Sequence, residues 1–136
     1  MRQFPPNGRL PAVRPRGSGD ASPGDILRIV GAAGHLLSAT LSTVDSAARA
    51  WHWGSTDPSG FAAVGVNETL LHTYDITQGL GVGWLPPAPL CAGVLAPLFA
   101  DAPAGDPARV LLWCTGRGDL AGQPRVTSWV PRAAEN

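Results

Sequence analysis

Three residues of the segment VNETLLHTYDI, residues 66–76, have side chains that can do chemistry. Glu68 and His72 are four positions apart, and Asp75 follows three positions later. Residues at i and i+4 are neighbours on a helix, so a carboxylate and an imidazole at this spacing can converge on one metal ion. A catalytic zinc site normally uses three protein ligands. The spacing makes Glu68 and His72 two candidate ligands, and Asp75 a candidate hydrogen-bond acceptor that would orient the imidazole.

A second interpretation of the same pair needs no metal. Glu68 and His72 could form a buried hydrogen bond, or a satisfied pair facing a wet groove. A glutamate inside a protein must be neutralised, paired or ligated, because desolvating its charge is costly. Spacing alone does not choose between the two interpretations.

The pair is carried by a helix that we expect from about residue 59 to residue 78. Asp57 before Pro58 gives the start signal, and the glycines of QGLGVG give the stop. Both sides of this helix carry apolar residues, which predicts an interior helix with one polar stripe. At 100° per residue, the stripe is formed by Phe61, Val64, Gly65, Glu68, His72 and Asp75, with Val66, Leu70 and Tyr74 opposite.

Three further helices are predicted around it. The first starts at Ser22, with Pro23 in the first helical position. Its apolar face would consist of Ile26, Val30, Ala33, Leu37, Leu41 and Val44, with His35 on the exposed side. Another starts in LPPAPL, uses Leu90, Val94, Leu95 and Leu98, and should kink or end near Ala96 because of Pro97. A short last helix in ARVLLWCTGR should close at Gly116, before a strand or extended tail that packs Trp129 onto the domain.

The composition indicates one globular domain rather than a disordered chain. The 136 residues are 44% hydrophobic and 15% charged. Ten basic and ten acidic residues give a formal net charge of +0, and the basic residues, all arginine, are scattered. We therefore expect no nucleic-acid partner. No stretch reads as a membrane span or a secretory signal, so no membrane partner is expected either.

Cys91 and Cys114 form neither a C-x-x-C pair nor a disulfide framework. We expect both to be small buried residues in a reducing, cytoplasmic location. Residues 1–21 are rich in proline, glycine and arginine, which predicts a flexible arm ahead of a helical metal-binding domain at residues 22–136. Arg117 should pack or pair near a helix C-terminus, and the alternative is that it contacts an anionic substrate.

Three segments in order resemble the mycothiol-dependent maleylpyruvate isomerase family, a group of DinB-like four-helix bundles. They are GFAAVGVNETLLHTYDITQGLGVGW, PPAPLCAGVLAPLFADAP and LLWCTGR, and the likeness covers roughly residues 25–130. The resemblance implies a bundle that binds a divalent metal, typically zinc, with Glu68 and His72 as two of its ligands. It also implies isomerase or transferase chemistry with mycothiol, in which the metal binds the cofactor sulfur and favours the thiolate.

The family carries its third ligand, a histidine, on a long first helix. The corresponding stretch here is the Pro/Gly/Arg-rich arm, which has no histidine, and His52 lies in the WHW loop. The expectation is thus a mostly α, incomplete DinB-like bundle of three main helices, a short C-terminal helix and an extended tail. Three helices in place of four would leave an apolar groove open, which favours a homodimer. The alternative is a truncated, non-catalytic module acting in protein interaction.

Overall fold

The computed structural model describes residues 21–51 and 54–129, and most of these residues are helical. In these two ranges the elements follow the order α1 (Pro23–Thr43), β1 (Ala50–Trp51), β2 (Ser55–Thr56), α2 (Pro58–Gly79), α3 (Ala88–Leu98) and α4 (Pro107–Cys114). The prediction of a mostly α chain with three main helices and a short fourth one is confirmed. The predicted arm lies almost wholly outside the described residues.

Helix starts follow the capping signals in the sequence. At α1, the Ser22 hydroxyl donates to Asp25 at 2.6 Å and accepts from the Asp25 backbone N–H at 3.2 Å. At α2, the Asp57 carboxylate accepts from the Gly60 backbone N–H at 2.8 Å. These bonds satisfy N–H groups that the first helical turn leaves without partners. The hydrogen bonds from Ser22 also hold the pKa of the Asp25 carboxyl below its usual value.

Helix α3 does not end where the sequence predicted. Pro97 lies inside it and the helix continues to Leu98, two residues beyond the predicted end near Ala96. The Phe99 backbone N–H still donates to the Leu95 carbonyl at 2.9 Å, which closes the last turn. Pro97 removes one backbone hydrogen bond, and only Leu98 follows it in α3, so little helix remains for the proline to disrupt.

The hydrophobic core lies between α2, α3 and α4. Its fully enclosed side chains come from α3 and α4 and include Val94, Leu98 and Leu111. Leu90, which the sequence placed in the core, is 48% exposed. The last described segment forms no strand, and Trp129 packs against the core next to Phe99, with ring centroids 6.1 Å apart. Of the two predictions for that segment, the extended tail is the one observed.

Contacts divide the chain into two units, residues 1–32 and 33–136, and the division falls inside α1. In the first unit, the described residues are those of the capped N-terminal half of α1. Ile26 and Val30, which the sequence placed on a core-facing stripe, are 52% and 53% exposed there. No residue of α1 is fully buried, and Leu37 and Leu41 of the same stripe are half-buried. An apolar stripe indicates that one side of a helix can pack against another element, but it does not identify that element.

The second unit contains the rest of α1 and all other elements. The Leu37 side chain lies over Gly65 of α2, where a Cβ atom would come within 2.7 Å of it. A groove of about 450 Å³ opens beside this crossing and is mostly apolar. Leu37, Leu41, Val66, Leu70 and Leu90 contribute its largest side chains. The expected open apolar groove is therefore present in this unit.

In the part of the chain that the structure describes, one helix, α1, is long and apolar enough to cross a membrane on length and composition. It has 21 residues, and its most apolar 18-residue window has a mean hydropathy of 1.2. The expectation that no stretch of the sequence could span a membrane is therefore corrected for α1 on length and composition. Core helices and signal sequences meet the same criterion, so it does not by itself assign α1 to a membrane.

Candidate metal centre

Helix α2 brings Glu68 and His72 together on its surface. They lie one turn apart, and the His72 Nε2 atom is 3.2 Å from the Glu68 Oε2 atom. Two ligand atoms bound to one tetrahedral zinc at about 2.0–2.1 Å are about 3.3–3.4 Å apart. The separation is that of a direct ion pair between the two side chains, and it is also close to one edge of a zinc coordination tetrahedron.

Both side chains are open to solvent. The exposed fraction is 53% for Glu68 and 68% for His72. The residues of α2 that are buried lie on another face: Gly60, Ala63, Asn67, Leu70 and Leu71. The prediction of an interior helix is thus wrong for the side that carries the pair. Because water solvates the Glu68 carboxylate, folding does not desolvate its charge. Glu68 therefore needs neither a partner nor a metal to be stable at this position.

Asp75 is engaged elsewhere. Its two carboxylate oxygens accept hydrogen bonds from Nε and Nη2 of Arg117, at 2.8 and 2.7 Å. The Arg117 guanidinium also lies 5.9 Å from the centre of the Trp129 ring. This fork ties α2 to the segment after α4, and it confirms that Arg117 pairs near a helix C-terminus. The hydrogen bonds from Arg117 hold the pKa of Asp75 below its usual value, against a smaller opposing effect of burial.

The pair between Asp75 and Arg117 should make stability depend on pH. A carboxyl whose pKa is lowered by folding stabilises the protein above its unfolded pKa of about 3.9, and that stabilisation is lost as the pH falls through the folded pKa. Asp75→Asn should lower the free energy of unfolding by about 1 kcal/mol at pH 7, a small value because water screens a carboxylate that is 44% exposed. Urea unfolding of both proteins from pH 7 to pH 2.5 measures the difference, which should shrink below pH 4.

Asp119→Asn is the matched control. Its pair with Arg125 spans 3.2 Å, but the side chains are 81% and 64% exposed, so no measurable change is expected. If the difference in stability between wild type and Asp75→Asn stays the same from pH 7 to pH 2.5, ionisation of Asp75 does not contribute to folding, and equal stability at pH 7 would show that the fork contributes nothing.

Among the described residues, the remaining ligand candidates do not join the pair. His35 is exposed on α1, as predicted, and His52 lies outside the described residues. Cys91 and Cys114 are free and buried, which confirms the prediction that both side chains are buried. Burial raises the pKa of both thiols and so favours the protonated form, which is a poor metal ligand. Among residues 21–51 and 54–129, no group of three His, Cys, Asp or Glu side chains could hold a metal.

Two buried polar side chains escaped the sequence analysis. Asn67 and Thr56 are each 1% exposed, and the Asn67 amide and the Thr56 hydroxyl have no hydrogen-bond partner in the described part of the chain. The helical period gave a signal for Asn67, since it shares the face of Ala63, Leu70 and Leu71. A buried polar group that stays unpaired costs about 1–3 kcal/mol, and Asn67 lies on the buried face of α2, away from Glu68.

Comparisons with known proteins add no assignment. No protein-family model matches the chain, and neither a curated protein nor a solved structure does. An assignment of function therefore depends on the geometry of the described residues and on the resemblance of the sequence motifs.

Proposed function

We propose that this chain is a metal-binding helical domain similar to the mycothiol-dependent maleylpyruvate isomerases, with Glu68 and His72 as two ligands of a zinc ion. The observation that carries the proposal is the 3.2 Å separation of Oε2 and Nε2 on adjacent turns of α2. A carboxylate and an imidazole are both ordinary zinc ligands. The order of the E-x-x-x-H-x-x-D, Pro-Pro and L-L-W-x-T-G-R motifs supports the DinB-like assignment.

The substrate class we propose is a small thiol such as mycothiol. Bound zinc would supply charge that lowers the pKa of a coordinated thiol and gives a thiolate at neutral pH. The chain's own contribution is to hold the two ligands on a helix that is fixed at both ends. Asp57 caps its start, and Arg117 holds its last turns through Asp75. Free cysteines at positions 91 and 114 agree with a cytoplasmic location, which is part of the same proposal.

Thiol binding without efficient turnover is the expected behaviour. Two ligands per chain hold a metal weakly, so isomerase or transferase activity with mycothiol should be very weak. The cobalt(II)-loaded protein reports thiol binding directly, because a thiolate on cobalt adds a sulfur-to-metal charge-transfer absorption. We expect mycothiol to produce this absorption in the wild type and not in a Glu68→Ala, His72→Ala double variant.

The control for that experiment is an alcohol analogue of the thiol, which should leave the cobalt spectrum without the new band. Identical spectra of wild type and double variant after thiol addition would contradict the assignment of these two residues. Robust turnover with mycothiol would contradict the claim of weak metal retention and would require further ligands beyond this pair.

A second candidate function is a non-catalytic interaction module. The observation in its favour is the open apolar groove along Leu37, Leu41 and Leu70, which a bundle with a fourth helix would fill. On this reading Glu68 and His72 form only a surface ion pair, which contributes little to stability. Metal binding distinguishes the candidates, because only the first requires that these two side chains retain zinc.

A further inference from the structure

The first unit presents an apolar helix side to solvent. Four large apolar residues follow the cap of α1, and these are Ile26, Leu27, Ile29 and Val30. Their side chains are between 52% and 70% exposed. At 100° per residue the four share one side of the helix, and the Asp25–Arg28 ion pair lies on the other. Helix turns that are apolar on one side and charged on the other are typical of a helix at a membrane interface.

This exposed side leaves binding energy for a partner. Full transfer of a Val, Leu or Ile side chain from water into an apolar environment is worth about 10- to 100-fold in an equilibrium constant. All four side chains are at least half exposed, so folding realises only part of that gain. An apolar phase that covers them would supply the rest.

The sequence directly ahead of this helix is basic. Residues 1–21 contain one acidic residue, Asp20, and four arginines, which are Arg2, Arg9, Arg14 and Arg16. Each arginine held near an anionic membrane surface strengthens binding about fivefold. A basic segment next to an apolar helix side therefore complements a membrane that contains anionic lipids. Headgroups attract the arginines, and the acyl chains take up the apolar side chains.

The same charges disfavour a second copy of the chain as the partner. Packing of two such helices against each other would bring two arginine-rich segments to one contact, where like charges repel. An anionic membrane offers an apolar phase together with the opposite charge. The combination of exposed apolar side chains and a basic flank thus favours lipid over a homodimer through this surface.

The exposed part of α1 is too short to cross a bilayer. Residues 23–32, the share of α1 in the first unit, extend about 15 Å at 1.5 Å per residue, against about 30 Å for the hydrocarbon core. The rest of α1 belongs to the second unit, where Leu37 lies against Gly65 of α2. The exposed turns should therefore lie along the membrane surface with their apolar side inserted.

We infer that the first unit is a membrane-binding element. Ile26, Leu27, Ile29 and Val30 insert among the lipids of an anionic membrane, and the arginines ahead of them contact the headgroups. This interaction goes beyond the proposed function, because it uses neither Glu68 nor His72. It replaces the expectation of no membrane partner, and it agrees with a cytoplasmic location, since the cytoplasmic leaflet carries anionic lipids.

Flotation of the full chain with lipid vesicles tests the inference. We expect the protein to float with vesicles of equal parts phosphatidylcholine and phosphatidylglycerol, and to stay in solution with phosphatidylcholine alone. Raising the NaCl concentration from about 0.1 M to about 1 M shortens the Debye length from about 10 Å to about 3 Å and should weaken binding at least about tenfold.

Two variants separate the apolar and the basic contributions. The Ile26→Gln, Ile29→Gln double variant should bind anionic vesicles at least about tenfold more weakly, without a change of charge. Replacement of Arg9, Arg14 and Arg16 by Gln should weaken binding about 100-fold. Leu85→Gln is the matched control, because it removes a 59% exposed leucine of the second unit and should bind like the wild type. Circular dichroism checks that each variant is folded.

Three outcomes would overturn the inference. Equal binding to both kinds of vesicle would show that anionic charge is not recognised, and equal binding by the wild type and the double variant would show that the helix does not insert. A wild type that does not float but sediments as a dimer, with a monomeric double variant, would assign the surface to a second copy. The zinc content at Glu68 and His72 is measured separately, so each of these results leaves the proposed function standing.

A fluorescent label tests the orientation of the helix. Ile29→Cys puts a thiol on the apolar side and Ala32→Cys puts one on the side of Asp25 and Arg28, and both positions are exposed. The native cysteines are buried, so a polarity-sensitive dye should attach to the introduced thiol. With anionic vesicles we expect a blue shift of the dye emission at position 29 and none at position 32. An equal shift at both positions would contradict a helix that lies along the membrane surface.

Discussion

Leu111→Ala should lower the free energy of unfolding by about 3–4 kcal/mol, the largest stability effect that we expect from a single substitution in this chain. Leu111 is 0% exposed and belongs to the core cluster shared by α2, α3 and α4. Truncation removes buried apolar area and leaves a cavity that close packing fills only partly. A loss of this size is a large share of the about 5–15 kcal/mol that stabilises an ordinary domain.

Leu36→Ala is the matched control, because it makes the same change in another helix. Leu36 lies in α1 and is 70% exposed, so its truncation should change stability by less than about 0.5 kcal/mol. Urea unfolding followed by circular dichroism and tryptophan fluorescence measures both variants. A loss for Leu36→Ala as large as that for Leu111→Ala would show that α1 is packed in the folded protein and that the core includes it.

Removing either ligand of the proposed centre should have the largest effect on binding. Loss of a residue that only orients a metal ligand costs about 10- to 100-fold in affinity, so loss of a ligand should cost at least about 100-fold. We expect this for Glu68→Gln, which keeps the side-chain size, and for His72→Ala. Competition with a chromophoric chelator measures the zinc affinity of each protein.

The control for these affinities is His35→Ala, which removes an imidazole from α1 and should leave the zinc affinity unchanged. Because Glu68 and His72 are both exposed, neither substitution should change the circular dichroism spectrum or lower stability in the absence of zinc. A zinc affinity that falls equally in all three variants would point to non-specific binding and against a centre on α2.

Local signals in the sequence predicted the helices well. Asp57 before Pro58 places the start of α2, and the left-handed Gly81 and Gly116, at φ of 68° and 71°, follow the ends of α2 and α4. Such caps act within a few residues, so no tertiary information is needed. Pro97 misled the prediction because its cost depends on how far the helix continues beyond it, here one residue.

Tertiary placement could not be predicted from the same patterns. The periodicity identified an apolar stripe on α1, but Ile26 and Val30 remain exposed. The periodicity also predicted that Glu68 and His72 share one stripe, and they do. It predicted that this stripe lies inside the protein, but both side chains are exposed. Strands β1 and β2 have two residues each and pair antiparallel, Ala50 with Thr56 and Trp51 with Ser55. Strands this short leave no alternating pattern in the sequence.

For the candidate site, the sequence predicted which residues come together but not what surrounds them. The i, i+4 spacing was sufficient to bring Glu68 and His72 within 3.2 Å, since helix geometry alone determines it. The contact of Asp75 with Arg117 joins residues 42 positions apart, and no local rule predicts such a pair. The exposure of the pair likewise depends on how α2 packs.

Metal content of the purified protein tests the central claim most directly. The wild type and the Glu68→Ala, His72→Ala double variant should be prepared side by side, loaded with zinc, freed of loosely bound ions by gel filtration, and measured by elemental analysis. We predict that the wild type retains zinc and that the double variant retains none above the buffer background. Equal zinc in the two proteins would contradict the assignment of Glu68 and His72 as metal ligands.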